Sequence, residues 1–88
     1  MSMFDWYQRA RARAEHFITD LDPELEVDVD EDYITPYDGG EEYDTFVLVF
    51  SHPTNPKLNW TMAVKPEEDF INTELEQVVR RIYFERVE

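Results

Sequence analysis

The sequence predicts one α+β domain with the element order α-β-β-β-α, a three-stranded antiparallel meander and both helices on one face of the sheet. Near the two ends of the chain, apolar residues recur every three to four positions, which is typical of amphipathic helices. Three stretches between them alternate or are continuously apolar, which is typical of strands. At 88 residues, the chain is predicted to form a single domain over residues 1–88.

The first helix is predicted over about residues 2–20. Three arginines, Arg9, Arg11 and Arg13, alternate along it and therefore do not share one helix face, so we expect them to pair with local acids rather than to bind phosphate. Asp22-Pro23 ends the helix because the residue before a proline avoids the α region. The apolar stripe consists of Met3, Tyr7, Ala10, Ala14, Phe17 and Leu21.

Three strands are predicted to follow. The first, residues 24–30, alternates acids with Leu25, Val27 and Val29. The second, residues 45–51, is apolar at almost every position, as expected of a strand with neighbours on both sides. Turns at residues 35–43 and 53–56, marked by Pro and Gly, suit antiparallel hairpins. The third strand places apolar residues at alternate positions: Leu58, Trp60, Met62 and Val64.

The C-terminal helix has two predicted starts. It begins either in a first turn at residues 66–69 or at Thr73, with Glu76 completing a capping box. Its apolar stripe consists of Leu75, Val78, Val79, Ile82 and Tyr83.

Alternation along the strands assigns the two faces of the sheet. Phe46, Leu48 and Phe50 are expected to face the helices together with the apolar residues of the outer strands. The opposite face then shows the acidic residues of the first strand beside Val47 and Val49. This face is a candidate docking surface, or it is an ordinary solvated sheet face.

The net charge of −13 is concentrated in one segment. Residues 20–44 hold twelve of the 21 carboxylates and no Lys or Arg, whereas the other 63 residues carry nine acids and eight bases. A field of this sign repels nucleic acid and anionic membranes and attracts basic proteins. The predicted partner-binding residues are Glu24, Glu26, Asp28, Asp30, Asp32, Asp38, Glu41, Glu42, Asp44, Val47 and Val49.

Two other interpretations of the acidic segment stay open. Edge strands often carry charge that prevents aggregation through their open edge, which accounts for a few acids but not for twelve without a base. Adaptation to a salty cytoplasm also favours acidic, lysine-poor surfaces, although it is expected to spread the charge over the whole surface.

A single row of carboxylates on one strand is less dense in charge than duplex DNA, because duplex DNA carries one phosphate per about 3.4 Å of axis on each strand. One row alone is therefore not expected to mimic a duplex.

Catalysis, metal binding and membrane insertion are not expected. The chain has no cysteine and no glycine-rich phosphate loop, and His16 and His52 are far apart. Asp28, Asp30 and Asp32 match the first ligands of an EF-hand loop, but Tyr33 stands where that loop requires glycine. No cofactor is predicted. No apolar run approaches the roughly 20 residues that span a bilayer, and no signal peptide is recognised, so we expect a cytoplasmic protein of a cell or of an infected host.

The element order resembles the double-stranded-RNA-binding domain. Glu67, Glu68 and Asp69 stand where that family has its basic second-helix start, so its activity is not expected here. In size, charge and order of elements the chain is similar to small acidic phage-encoded inhibitors, which include anti-CRISPR proteins, anti-restriction proteins and the uracil-glycosylase inhibitor. That similarity implies a partner with a basic nucleic-acid-binding cleft.

The leading hypothesis is therefore a non-enzymatic inhibitor that binds a basic protein, such as a nucleic-acid-processing enzyme or a defence complex, and acts as a DNA or RNA mimic. No direct contact with nucleic acid or membrane is expected, and the chain itself is predicted to be a monomer or a homodimer. The alternative is an interaction module, such as an immunity protein, a chaperone or an adaptor, that binds through apolar patches.

Overall fold

A computed structural model describes residues 3–36 and 44–88, with the side chains of residues 4–30 and 46–88. Helix α1 covers Met3–Leu21, and strands β1, β2 and β3 cover Glu26–Pro36, Asp44–Ser51 and Trp60–Val64. A π-helical turn, Phe70–Glu74, continues directly into helix α2, Leu75–Val87. The predicted α+β fold and its element order are confirmed.

The three strands form one antiparallel sheet in the order β1-β2-β3. Val27 lies opposite Phe50 in the β1–β2 pairing, and Phe50 lies opposite Trp60 in the β2–β3 pairing. The predicted alternation is therefore correct, because residues in register share one face of the sheet. The pairing shifts between Asp30 and Ile34, so β1 is irregular in its second half.

Both helices pack on the apolar face of the sheet. Phe17, Phe46 and Phe50 are among the largest fully buried side chains, and Leu75 and Val79 of α2 join the same core. Tyr7 meets Phe46 edge-on with 5.0 Å between ring centroids. Burying these rings contributes roughly 1.5–3 kcal/mol per side chain, and this shared core holds the helices and sheet together.

The connections differ from the predicted turns. β1 continues through Thr35 and Pro36, which were assigned to a turn, and the remainder of that turn, residues 37–43, lies outside the described residues. The third strand begins at Trp60, because Leu58 lies in a 3₁₀ turn, Pro56–Leu58, that is capped by the side chain of Asn55. Leu58 still reaches the core at 1% exposure.

The structure decides between the two predicted starts of the C-terminal helix. Helical structure is already present at Glu68, and the Ile71 N–H donates to the Glu67 carbonyl at 3.0 Å. Thr73 therefore lies inside the helix, where its hydroxyl donates to the Asp69 carbonyl instead of capping a new helix. The capping box at Thr73 and Glu76 is wrong because the preceding turn already supplies the helical hydrogen bonds.

Candidate functional site

A row of carboxylates runs along the outer face of β1. Glu26, Asp28 and Asp30 are exposed, and alternate residues of a strand stand roughly 6.6 Å apart on one face. In the β1–β2 register, Asp28 lies opposite Val49 and Asp30 opposite Val47. The acidic row predicted from the sequence is therefore present over these three residues, which we call the acidic row.

Glu24 does not belong to the acidic row. It follows Pro23 in a turn, where its N–H donates to the Asp22 carboxylate at 3.0 Å and the Leu25 N–H donates to the Asp22 carbonyl at 3.0 Å. These hydrogen bonds hold the chain in a turn until Leu25, so the strand begins two residues later than predicted. The Glu24 carboxylate lies 3.4 Å from the Nε2 of His52.

The remaining predicted partner-binding residues have mixed positions. Val47 is only 7% exposed, whereas Val49 is half-buried, so the apolar strip beside the acidic row is smaller than predicted. Asp32 lies in β1 and Asp44 in β2. Asp38, Glu41 and Glu42 lie outside the described residues.

Asp28 of the acidic row is bonded within the chain. Asp28 accepts a hydrogen bond from the N–H of Val29 at 2.8 Å, and the Arg11 guanidinium lies 3.8 Å from the same oxygen. Arg11 also donates to Glu15 one turn further along α1, at 3.1 Å. Glu26 takes part in no ion pair among the described side chains. Its charge is therefore directed to solvent.

Arg9, Arg13 and Arg80 are bonded to acids of the C-terminal helical part. Arg9 bonds to Glu68 at 2.8 Å, and Arg13 bonds to Glu76 at 2.9 Å. Arg80 reaches the other oxygen of Glu76, also at 2.9 Å. The predicted pairing with local acids holds for Arg11, which bonds to Glu15, whereas Arg9 and Arg13 bond to acids 59 and 63 positions away. The bond from Arg13 to Glu76 connects α1 to α2.

Glu76 carries the clearest electrostatic effect of these pairs. The hydrogen bond from Arg80 and the positive charges of Arg80 and Arg13 lower the pKa of Glu76 below its ordinary value of 4.5, against a smaller opposing effect of burial. The ionised form of Glu76 is therefore stabilised where α1 and α2 meet.

A groove of about 680 Å³ lies between α1 and β1. Its walls combine apolar residues with charged ones, and it passes around the start of β1 toward the outer face of the sheet. The lining residues are Arg11, Glu15, Ile18, Thr19, Leu25, Glu26, Val27, Asp28, Val49 and Ser51.

A second cluster joins the α1–β1 turn to the β2–β3 connection. Asp22, Glu24 and His52 each place one potential metal-ligand atom within 4.8 Å of the others. His52 Nε2 lies 3.1 Å from Asp22, and the His52 side chain is only 6% exposed. The hydroxyl of Tyr83 donates a long hydrogen bond, 3.5 Å, to the same Asp22 oxygen.

The hydrogen bonds of His52 identify this cluster as structural. Its Nδ1 accepts from the backbone N–H groups of Thr54 at 3.2 Å and Asn55 at 3.0 Å, so the ring hydrogen is on Nε2 and is donated to Asp22. A metal on Nε2 needs a hydrogen on Nδ1, and here Nδ1 faces two donors. The cluster is therefore a hydrogen-bonded clasp between two loops.

Tyr83 is the second group whose pKa is shifted. Burial raises the pKa of Tyr83 above its ordinary value of 10.0, and the negative charge of Asp22 and the hydrogen bond to it act in the same direction. Sequence reasoning missed the clasp because its members are separated by up to 61 positions. The sequence does contain one local signal, Asp22-Pro23. This pair marks a turn, in which the Asp side chain can form hydrogen bonds with nearby backbone groups.

Comparison of the chain with protein-family models, with curated proteins and with solved structures finds no match. Within the described residues, neither helix combines the length and the apolar character that crossing a bilayer requires.

Proposed function

We propose that this chain is a small inhibitor that binds the basic nucleic-acid-binding surface of another protein through the acidic row of β1. The observation that carries the proposal is the position of that row. Three exposed carboxylates stand in line on an outer strand, in a segment of the chain without Lys or Arg. Bound in a basic cleft, the row would compete with nucleic acid for the same arginines and lysines.

The spacing supports mimicry of a line of charge rather than of duplex geometry. The carboxylates of the row repeat about every 6.6 Å, roughly twice the axial spacing of phosphates on one strand of duplex DNA. A partner groove that follows a single line of negative charge therefore fits the described row better than a site that grips both strands of a duplex.

On the outer sheet face, the contrast with the apolar alternative favours this proposal; the exposed large apolar side chains of the described residues, Phe4, Phe84 and Val87, lie on the helices. An immunity protein or adaptor that binds through apolar patches needs exposed apolar area at its interface. On the outer sheet face Val47 is buried and Val49 is half-buried, while Glu26, Asp28 and Asp30 are exposed. Charge rather than apolar area is therefore the available means of recognition on this face.

The test compares two triple variants with equal net charge. E26Q/D28N/D30N neutralises the acidic row, and E67Q/E74Q/E85Q neutralises three exposed acids elsewhere. Both variants and the wild-type chain are immobilised and exposed to lysate. The captured proteins are eluted in steps of increasing salt, and each is then tested for whether the chain and nucleic acid compete for it.

We expect the wild-type chain and the control variant to capture a nucleic-acid-binding protein that moderate salt releases. The row variant should associate with it about 10–100-fold more slowly at low salt, because steering by the row is lost. A partner that binds both triple variants equally and remains bound at high salt would contradict the proposal and favour the apolar interaction module.

A further inference from the structure

We infer that the groove between α1 and β1 binds an extended basic segment of the partner, which adds to the open edge of β1 as a further strand. This inference rests on the proposed function, since it places the partner at the same acidic strand. It goes further by naming the backbone and side-chain chemistry that the partner segment must have.

The edge of β1 is open in the described sheet, because β1 is paired with β2 alone. In an antiparallel ladder, the N–H and C=O groups of successive residues point alternately toward the partner strand and away from it. The N–H of Val29 is bonded to the Asp28 carboxylate, which places Val29 among the residues whose backbone points away from β2. By the same alternation, the backbone groups of Val27 point to the open edge, where Val27 lines the groove.

The groove has room for side chains of an extended segment. Its volume of about 680 Å³ is within the range of roughly 300–1,000 Å³ that is usual for small-molecule sites. Ile18 of α1 and Leu25 before β1 supply apolar wall on one side, and Val49 supplies it on the outer face. Such walls accept the methylene stems of lysine or arginine while the charged ends stay near the rim.

The charges around the groove select the sign of the ligand. Glu15, Glu26 and Asp28 all line it, whereas Arg11 is the one base in the lining and already contacts Glu15 and Asp28. Alternate residues of an added strand stand about 6.6 Å apart on one face, which is also the spacing from Glu26 to Asp28. A segment with Lys or Arg at alternate positions therefore places its cations opposite these two carboxylates.

The same charges exclude a second copy of this chain from the β1 edge. Pairing of two β1 strands would bring two acidic rows together, and like charges in cross-strand positions are destabilising.

The groove ends at the contact between Arg11 and Asp28. This contact lies between the groove and a much smaller hollow of about 40 Å³ beside Phe4 and Val29.

The experiment titrates the isotope-labelled full chain with the peptide Thr-Lys-Val-Lys-Val-Lys-Thr and follows backbone amide shifts by NMR. An otherwise identical peptide with Glu for Lys tests charge. Two further peptides, N-methylated either on the three Lys or on the two Val, test strand addition, because only one of these sets directs its N–H groups toward β1.

We expect shift changes confined to residues 11–19, 25–28 and 49–51, no binding of the Glu peptide, and at least a tenfold loss of affinity for one N-methylated peptide but not for the other. Absence of binding would overturn the inference. Binding that is equal for both N-methylated peptides would overturn it as well, because attraction by charge alone does not depend on backbone N–H groups.

A groove variant separates this inference from the proposed function. Thr19 is exposed and lines the groove, so Thr19→Arg introduces a basic side chain beside Glu15 while leaving the acidic row intact. Gln77→Arg, on the exposed side of α2, is the matched control. We expect T19R, but not Q77R, to weaken the Lys peptide at least tenfold. If T19R binds the peptide normally, the groove assignment fails, whereas the proposed function fails only if the row variant E26Q/D28N/D30N keeps its partner.

Discussion

Two acids of the helical parts, Glu68 and Glu76, and one acid of β1, Glu26, stand in opposite surroundings. Glu68 and Glu76 are each bonded to arginines of α1 at 2.8–2.9 Å, so their charges stabilise the contact between the two helical parts of the chain. Glu26, on β1, is exposed and takes part in no ion pair among the described side chains. A similar carboxylate thus serves folding in one region and remains available to a partner in the other.

The difference is also visible within the acidic segment of residues 20–44. Asp22 and Glu24, at its beginning, lie against His52 and are part of the clasp between two loops. A few residues later, the carboxylates of the acidic row face outward. Total charge is therefore a poor guide to function here, and the partner of each carboxylate decides its role.

Removing the clasp is expected to have the largest effect on stability. His52→Ala leaves two backbone N–H groups without their acceptor and removes one of the hydrogen bonds to Asp22, which should lower the free energy of unfolding by about 2–3 kcal/mol. Urea denaturation measures the change. His16→Ala, on the exposed side of α1, is the control and should change it by less than about 0.5 kcal/mol. Equal losses in the two variants would show that His52 has no special structural role.

A smaller effect is expected from acid at the contact between α1 and α2. Because the pKa of Glu76 is lowered in the folded chain, its ion pairs contribute stability above the ordinary pKa of 4.5, and this contribution is lost as the pH falls through the lower, folded-state value. Glu76→Gln should therefore be less stable than wild type near neutral pH and approach it below pH 4.5. Denaturation curves across this range check the convergence, with Glu74→Gln as the control. A constant difference at every pH would contradict the assignment.

The smallest effect concerns the acidic row itself. Salt screens repulsion between exposed like charges, so raising the salt concentration should stabilise the wild-type chain. The stabilisation by salt should be about 0.5 kcal/mol smaller in the variant E26Q/D28N/D30N than in E67Q/E74Q/E85Q. Thermal or urea unfolding at low and high salt provides the measurement. If the two variants respond alike, repulsion is spread over the surface, as adaptation to a salty cytoplasm predicts.

The local pattern of the sequence determined the elements and the direction of most side chains. Apolar spacing in α1 and alternation in β1 and β3 are properties of neighbouring residues, and Phe46, Leu48 and Phe50 duly face the helices. The acidic row followed from the same alternation, because period-two geometry places Glu26, Asp28 and Asp30 on one face regardless of what packs on the other.

Only the tertiary structure decided what each charge contacts. The turn at Asp22 removed Glu24 from the row, the approach of α2 bonded Arg13 to Glu76, and the meeting of two loops buried His52. Val47, assigned to the open face by alternation, is also buried. Contacts of this kind join residues up to 63 positions apart, and a periodic pattern carries no information about them because it records only which face of an element a residue occupies.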